Sequence, residues 1–190
     1  TGVEASREVV KSLSPDAILL CTGSRLHVPH IPGIDLPHVV TAEEVLEGDV
    51  AVGKRVVVIG GGGVGTGTAL YLARRWSCSP AVVSFLIDFE AFGKEEALSY
   101  MNRGHQVTIV EQLEKIGEGL GPGTKWVMKK ELELAGVKVY PRTTVKAIEK
   151  AGLVVERNGV EEALEADTIV LATGYVPDDS AREGFRDLAK

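Results

Sequence analysis

Four apolar residues, three of them β-branched valine and one isoleucine, run without interruption as Val56-Val57-Val58-Ile59 and stop at Gly60-Gly61-Gly62-Gly63-Val64-Gly65. No polar residue alternates within the run, so it suits a strand buried on both faces, as in a parallel sheet covered by helices. Thr66 to Arg75 then reads as a helix carrying Ala69, Leu70, Leu72 and Ala73. Between strand and helix, Gly60, Gly62 and Gly65 form G-x-G-x-x-G. The first glycine permits a tight turn, the second lets backbone approach a pyrophosphate, and the third lets helix and strand pack closely. Unpaired N–H groups at the helix start, aided by the helix dipole, then favour an anion. The motif alone is a weak signal; the strand before it and the helix after it make it a strong one. The competing reading is a tight turn that holds no ligand.

A second strand of the same kind is Val107-Thr108-Ile109-Val110, ending in Glu111. Trp126, Val127, Met128, Leu132 and Leu134 lie at helical spacing within Thr124 to Ala135, Gly136 supplies a stop, and Val137-Lys138-Val139-Tyr140 reads as a third strand. An acidic residue closing the second strand can bind a ribose 2′-hydroxyl, and Glu111 occupies that place. About 20 residues usually separate it from the glycines, whereas Glu111 lies 46 past Gly65. The excess is an insertion over 76–104 between first helix and second strand, holding Val82, Val83, Phe85, Leu86, Ile87, Phe89 and Phe92 and a predicted helix from Glu95 to Arg103. We read it as a helical excursion packed on its own sheet; the sharper reading is a docking face for other domains or for a second subunit. With Glu111 on the ribose, NAD(H) is favoured over NADP(H), because a 2′-phosphate is repelled and only Lys115 lies near to soften that. The competing reading of Glu111 is an ordinary exposed strand end.

On the flanks, Glu4 to Leu13 reads as a short helix stopped by Ser14-Pro15-Asp16, and Ala17-Ile18-Leu19-Leu20-Cys21 as a buried strand closed by Thr22-Gly23. Residues 25–38 hold three prolines and form a loop. Thr41 with Glu44 predicts a capping box opening a helix to Leu46. After the third strand the period changes to two: Val145–Lys150, Leu153–Arg157 and Glu161–Glu165 read as a β-meander, with Asn158-Gly159 as a hairpin turn. Thr168 to Ala172 is a last buried strand, closed by Thr173-Gly174, which echoes the Thr22-Gly23 element. The tail from Tyr175 is polar and predicts no closing strand.

Composition removes other classes. The 190 residues carry 21 Lys plus Arg against 27 Asp plus Glu, a net charge of −6, which argues against a nucleic-acid footprint. The longest apolar stretch, Ala81 to Phe92, is broken by Ser84, Asp88 and Glu90 and is too short for a membrane span. Cys21 and Cys78 make neither a disulfide framework nor a dithiol, which points to a reducing, cytoplasmic setting. His27, His30 and His38 lack a supporting ligand cluster and read as surface histidines, so no metal site is expected. No Gly-x-Ser-x-Gly supports a serine hydrolase. Thr1 to Ala5 resembles no targeting segment, and a chain opening on Thr1 reads as a piece of a longer one.

The arrangement resembles the pyridine-nucleotide-binding region of FAD-dependent pyridine nucleotide–disulfide oxidoreductases. More narrowly it resembles flavoenzymes related to 2,4-dienoyl-CoA reductase, 2-enoate reductase and bacterial NADH oxidase. The likeness rests on residues 15–23, on Ile31-Pro32-Gly33-Ile34-Asp35, on Val58 to Gly65, and above all on Lys115-Ile116-Gly117-Glu118-Gly119-Leu120-Gly121-Pro122-Gly123-Thr124-Lys125-Trp126. It implies a parent protein with FAD, and with FMN and a 4Fe-4S cluster, none of whose motifs lie here; no bound FAD is expected in this chain. It also implies that the two strand–Thr-Gly elements cross between FAD and NAD(P)H domains. One position departs from the family, which usually carries Glu or Asp two residues after the third glycine, where this chain has Gly67.

The expectation is therefore an α/β fold, a Rossmann-like parallel sheet with helices on one face and a β-meander crossover on the other. Residues 1–47 would be a remnant of an FAD-binding domain with its linker, 48–172 the NAD(P)H-binding domain, and 173–190 the return. The cofactor-binding candidates are Gly60, Gly61, Gly62, Gly63, Val64, Gly65, Glu111, Lys115, Thr173 and Gly174, with no catalytic residue in the chain itself. The implied function is hydride delivery from NAD(P)H to FAD in an enzyme that reduces enoyl- or dienoyl-type alkenes. The isolated chain is expected to be inactive, and its partners are the dinucleotide, the parent's other domains and, through the insertion, a homo-oligomer. The alternative is a non-redox ADP-binding module like that of amine dehydrogenases, which Gly67 fits.

Overall fold

The computed structural model describes residues 2–75, 77–102 and 104–188. Two compact units emerge, one from Val28–Gly174 and one from the two chain ends.

In the larger unit the elements follow the chain as β2 (Val39–Thr41), α2 (Ala42–Glu47), β3 (Arg55–Ile59), α3 (Gly63–Arg74), α4 (Pro80–Asp88), α5 (Lys94–Ser99), β4 (Gln106–Val110), α6 (Pro122–Leu134), β5 (Lys138–Tyr140), β6 (Thr143–Glu149), β7 (Gly152–Arg157), β8 (Val160–Glu165) and β9 (Thr168–Leu171). Five strands make one all-parallel sheet in the order β2-β9-β3-β4-β5. Val56 and Val58 of β3, Val107 and Ile109 of β4, and Val170 of β9 share one buried cluster with Val45, Ala69, Leu72 and Leu132 of α2, α3 and α6. Alternate residues of a strand face opposite sides, and Val57, Ile59, Ile169 and Leu171 are also buried but lie outside that cluster. The second face is therefore covered as well. The antiparallel sheet β6-β7-β8 buries Ile148, Leu153 and Val155 and is the layer available for it. The uninterrupted apolar run of β3 has this cause: Val56 to Ile59 are buried whichever face they point to.

Local signals shape the connections. Thr41 and Glu44 form the capping box, the Thr41 hydroxyl accepting from the Glu44 N–H while the Glu44 carboxylate accepts from the Thr41 N–H at 2.7 Å. Asn158 and Gly159 both have positive φ, 53° and 77°, and join Arg157 to its partner Val160 as a two-residue turn. The helix after the glycines begins at Gly63, three residues before the expected Thr66.

The insertion departs from the expectation in its packing. Trp76, its first residue, and Arg103, where the predicted helix ends, lie outside the described residues. The helical part is α4, α5 and a 3-10 turn at Tyr100–Asn102. Val83 and Ala97 are buried, but Phe85 and Phe89 stack at 4.5 Å between ring centroids while remaining 56% and 70% exposed. The helices pack on one another, so their outer apolar side is open.

The smaller unit holds α1 (Arg7–Ser12), β1 (Ser24–Leu26), β10 (Tyr175–Pro177) and α7 (Arg182–Phe185). Two expectations fail here. Ala17 to Cys21 is not a strand, and Leu19 is 89% exposed. An apolar run becomes a buried strand only where other strands flank it, and among the described residues none pairs with it. The tail does contain a strand: β10 pairs antiparallel with β1, Leu26 opposite Tyr175. The Thr22 hydroxyl donates to the Asp178 carbonyl at 2.6 Å, and Arg7 pairs with Asp187.

Candidate functional site

The carboxyl ends of β3, β4 and β9 meet at one place. β3 is followed by β4 on one side, while β9, which comes last, lies on the other, so the strand order reverses at β3. Such reversals open the crevice in which open α/β sheets bind ligands. The Gly60 N–H donates to the Val110 carbonyl at 2.9 Å and the Ala172 N–H to the Ile59 carbonyl at 2.9 Å. Gly60 takes φ of 106°, and a Cβ there would stand 2.3 Å from the Ala172 oxygen. This contact sets Thr173 beside the glycine turn, with exposed Gly174 next to it.

The other glycines have separate jobs. A Cβ on Gly65 would fall 1.9 Å from the Gly60 oxygen, so the helix could not lie against the turn. Gly62, the N-cap of α3, has open space around it, the nearest atom to an added Cβ being the Glu118 oxygen at 3.9 Å. Among the described residues no side chain caps α3, and its first backbone bond runs from the Thr66 N–H to the Gly62 carbonyl. Among the described residues the N–H groups of Gly63, Val64 and Gly65 have no acceptor. Unpaired N–H groups of this kind at a helix start are suited to an anion. Gly67 has nothing within 4 Å of an added Cβ, so no side chain reaches past this end of the helix from that position.

Glu111 is not an exposed strand end. It is 7% exposed, and its two carboxylate oxygens accept from the N–H of Gly61 at 2.6 Å and of Leu113 at 2.8 Å. Lys115 is exposed and, with Ile116, Leu132 and Val139, borders a separate cavity of about 360 Å³ on the α6 side. What this segment brings to the glycine turn is Ile116, whose Cγ2 would meet a Cβ on Gly61 at 2.7 Å, and Leu120, which would meet one on Gly63 at 3.3 Å. The need for glycine at position 61 is invisible in the G-x-G-x-x-G pattern, which leaves that position free. The run of four glycines is the only hint of it in the sequence.

A cavity of about 1210 Å³ lies at the opposite, amino-terminal end of the sheet, among Lys54, Arg55, His105, Gln106 and Lys138. Three of its cations are engaged: Arg55 by Asp167, Arg74 by Glu131, and Lys54 by the Gly104 carbonyl. The amide cradle, not the size of a cavity, marks the candidate site. Among the described residues no cluster of His, Cys, Asp or Glu could hold a metal ion, and no helix is long and apolar enough to cross a membrane.

A parallel sheet, a strand–glycine turn–helix unit and a switch point at that turn define a Rossmann-like α/β fold. The comparisons give the family: residues 2–187 match the model of the pyridine nucleotide-disulphide oxidoreductases, and the chain belongs to that family. It is 32% identical over 158 residues to a metal reductase of Desulforamulus reducens, covering 83% of this chain and 24% of the relative. It is 32% identical over 182 residues to an NADH oxidase of Thermoanaerobacter brockii, covering 93% and 24%. A 2-naphthoyl-CoA reductase structure superposes with a TM-score of 0.73 at 25% identity, covering 98% of this chain and 24% of that one. The chain thus spans about a quarter of the length of these relatives. They are oxidoreductases, and the family's members depend on FAD and a nicotinamide dinucleotide.

Proposed function

We propose that the β3–α3 turn holds the diphosphate of NADH, within a longer flavoprotein in which the bound dinucleotide passes hydride to FAD. The observation that carries this reading is the set of three N–H groups, on Gly63, Val64 and Gly65, left without acceptors among the described residues at the start of a twelve-residue helix. A row of oriented amides costs nothing to reorganise when a diphosphate arrives, and the helix dipole adds to the attraction. Gly62 lets the phosphates approach the backbone, and Gly60 and Gly65 keep helix, turn and Ala172 in register. Thr173 and Gly174 stand at the edge where the rest of the dinucleotide would leave the turn. Nicotinamide supplies the hydride; the chain's task is to fix its position.

The charge of Glu111, at the end of β4, disfavours a 2′-phosphate and supports NADH over NADPH; Lys115, exposed and turned to another cavity, does little to offset it. The 2-naphthoyl-CoA reductase among the structural neighbours supports a conjugated, electron-poor substrate for the parent, in keeping with reduction of enoyl- or dienoyl-type alkenes. In isolation the chain binds the dinucleotide and turns nothing over, and FAD belongs to the parent's other domains.

Calorimetric titration with NADH, NADPH and ADP tests the reading. NADH is expected to bind most tightly and NADPH more weakly. Equal affinity for ADP and NADH would instead favour a nucleotide site that never uses a nicotinamide, as Gly67 would allow. Binding of none of the three would reject the reading.

A further inference from the structure

We propose that Glu111 is a positioning residue that clamps the glycine turn in its phosphate-binding shape, a role separate from any contact with a ribose; this rests on the reading of the turn as a diphosphate site. Gly61 is held through both of its backbone groups. Its N–H donates to the Glu111 carboxylate at 2.6 Å, and its carbonyl accepts from the Gly117 N–H at 2.6 Å. Glu111 is itself fixed: its N–H donates to the Tyr140 carbonyl and its carbonyl accepts from the Thr143 N–H, each at 2.9 Å. Its second carboxylate oxygen takes the Leu113 N–H, which turns the chain so that Ile116 lands on Gly61 and Gly117 reaches the Gly61 carbonyl.

The peptide that precedes the cradle is thereby locked to the sheet by a buried carboxylate with one N–H on each oxygen. Charge-assisted bonds of this kind are the strong ones, and losing the one to Gly61 leaves a buried N–H without a partner. Fixing Gly61 fixes the direction of the chain through Gly62 into α3, and so the aim of the N–H groups of Gly63 to Gly65. A glutamine cannot do this. Its single carbonyl oxygen serves one N–H, and its amide group would point a donor at the other.

Two ligands separate clamping from ribose recognition: ADP and 2′-deoxy-ADP, titrated against the chain and its E111Q variant. A clamp acts on the diphosphate, so E111Q weakens both ligands by the same factor, roughly tenfold. If Glu111 serves only the ribose, the substitution weakens ADP and leaves 2′-deoxy-ADP unchanged, and the proposal falls; it falls equally if neither ligand is affected. Amide-proton NMR on the unsubstituted chain reads the clamp directly and needs no variant to fold. The Gly61 and Leu113 protons are expected well downfield, protected from exchange, and to remain so when ADP is added. Their movement upfield on ADP binding would show the carboxylate leaving the turn and overturn the proposal. Failure of the unsubstituted chain to bind either nucleotide would reject the diphosphate reading, and the role proposed for Glu111 with it, even if the free chain shows the two shifted protons.

Discussion

Gly65 lies so close to the carbonyl of Gly60 that a single methyl group on it would sit 1.9 Å from that oxygen. The obstacle is backbone, which cannot swing aside as a side chain can. G65A must therefore push α3 away from the end of β3. We expect a loss of about 1–3 kcal/mol and a fall in melting temperature of roughly 5 °C, read by circular dichroism, together with loss of nucleotide binding. An unchanged melt and unchanged affinity would show that this approach is not required.

Gly67, one turn into the same helix, is the control. An added Cβ there meets nothing within 4 Å, and the residue needs no positive φ. Gly costs about 1 kcal/mol relative to Ala inside a helix. G67A should raise stability by about 0.5–1 kcal/mol and leave ADP affinity as it is. A destabilised G67A would mean that the space around α3 is not open.

An ion pair at the far end of the sheet contributes to the acid sensitivity of the fold. Arg55 at the start of β3 bonds Asp167 just before β9, its Nε and Nη2 reaching one carboxylate oxygen at 3.1 and 2.6 Å and its N–H the other at 2.8 Å. Bonds from the Arg55 side chain, then from its backbone, hold the Asp167 carboxyl below its ordinary value. A carboxyl depressed in the folded state adds stability above its unfolded pKa of about 3.9 and loses it as the pH falls through the lower, folded value. Denaturant melts should therefore show stability declining below about pH 4, with a smaller decline in D167N. Nucleotide affinity in D167N should not change, because this pair sits at the opposite edge from the glycine turn. An equally steep decline in D167N would assign the acid sensitivity elsewhere.

The Thr41–Glu44 box closes the start of α2, whose Ala42 and Val45 are buried. Thr41→Ala removes the side-chain acceptor for the Glu44 N–H and should cost about 1 kcal/mol in urea unfolding. An effect below a few tenths would show that packing alone holds α2.

What the sequence disclosed follows the range of the interactions. Asn158-Gly159, the Thr41–Glu44 box and the strand–glycine–helix unit are made by residues a few positions apart, so their chemistry was legible directly. The run from Ala17 to Cys21 showed only that it would pack well, and its outcome depends on strands that would have to lie beside it. The pairing of Leu26 with Tyr175 joins residues far apart in the chain, in segments too short for any periodicity to show. For Glu111 the motif located the residue at the end of β4 but not its partners. Those became visible once Gly61, Leu113 and Tyr140 were placed around it. Gly61 itself is required because Ile116, more than fifty residues on, covers it.

The central claim is that bare amides at the start of α3 hold a diphosphate, and a crystal structure with NADH bound tests it most directly. The account predicts diphosphate oxygens within about 3 Å of the Gly63 and Val64 nitrogens, with the turn as it stands in the free chain. A dinucleotide seated elsewhere, for instance in the large cavity beside Lys54 and His105, with those amides still bare, would contradict it.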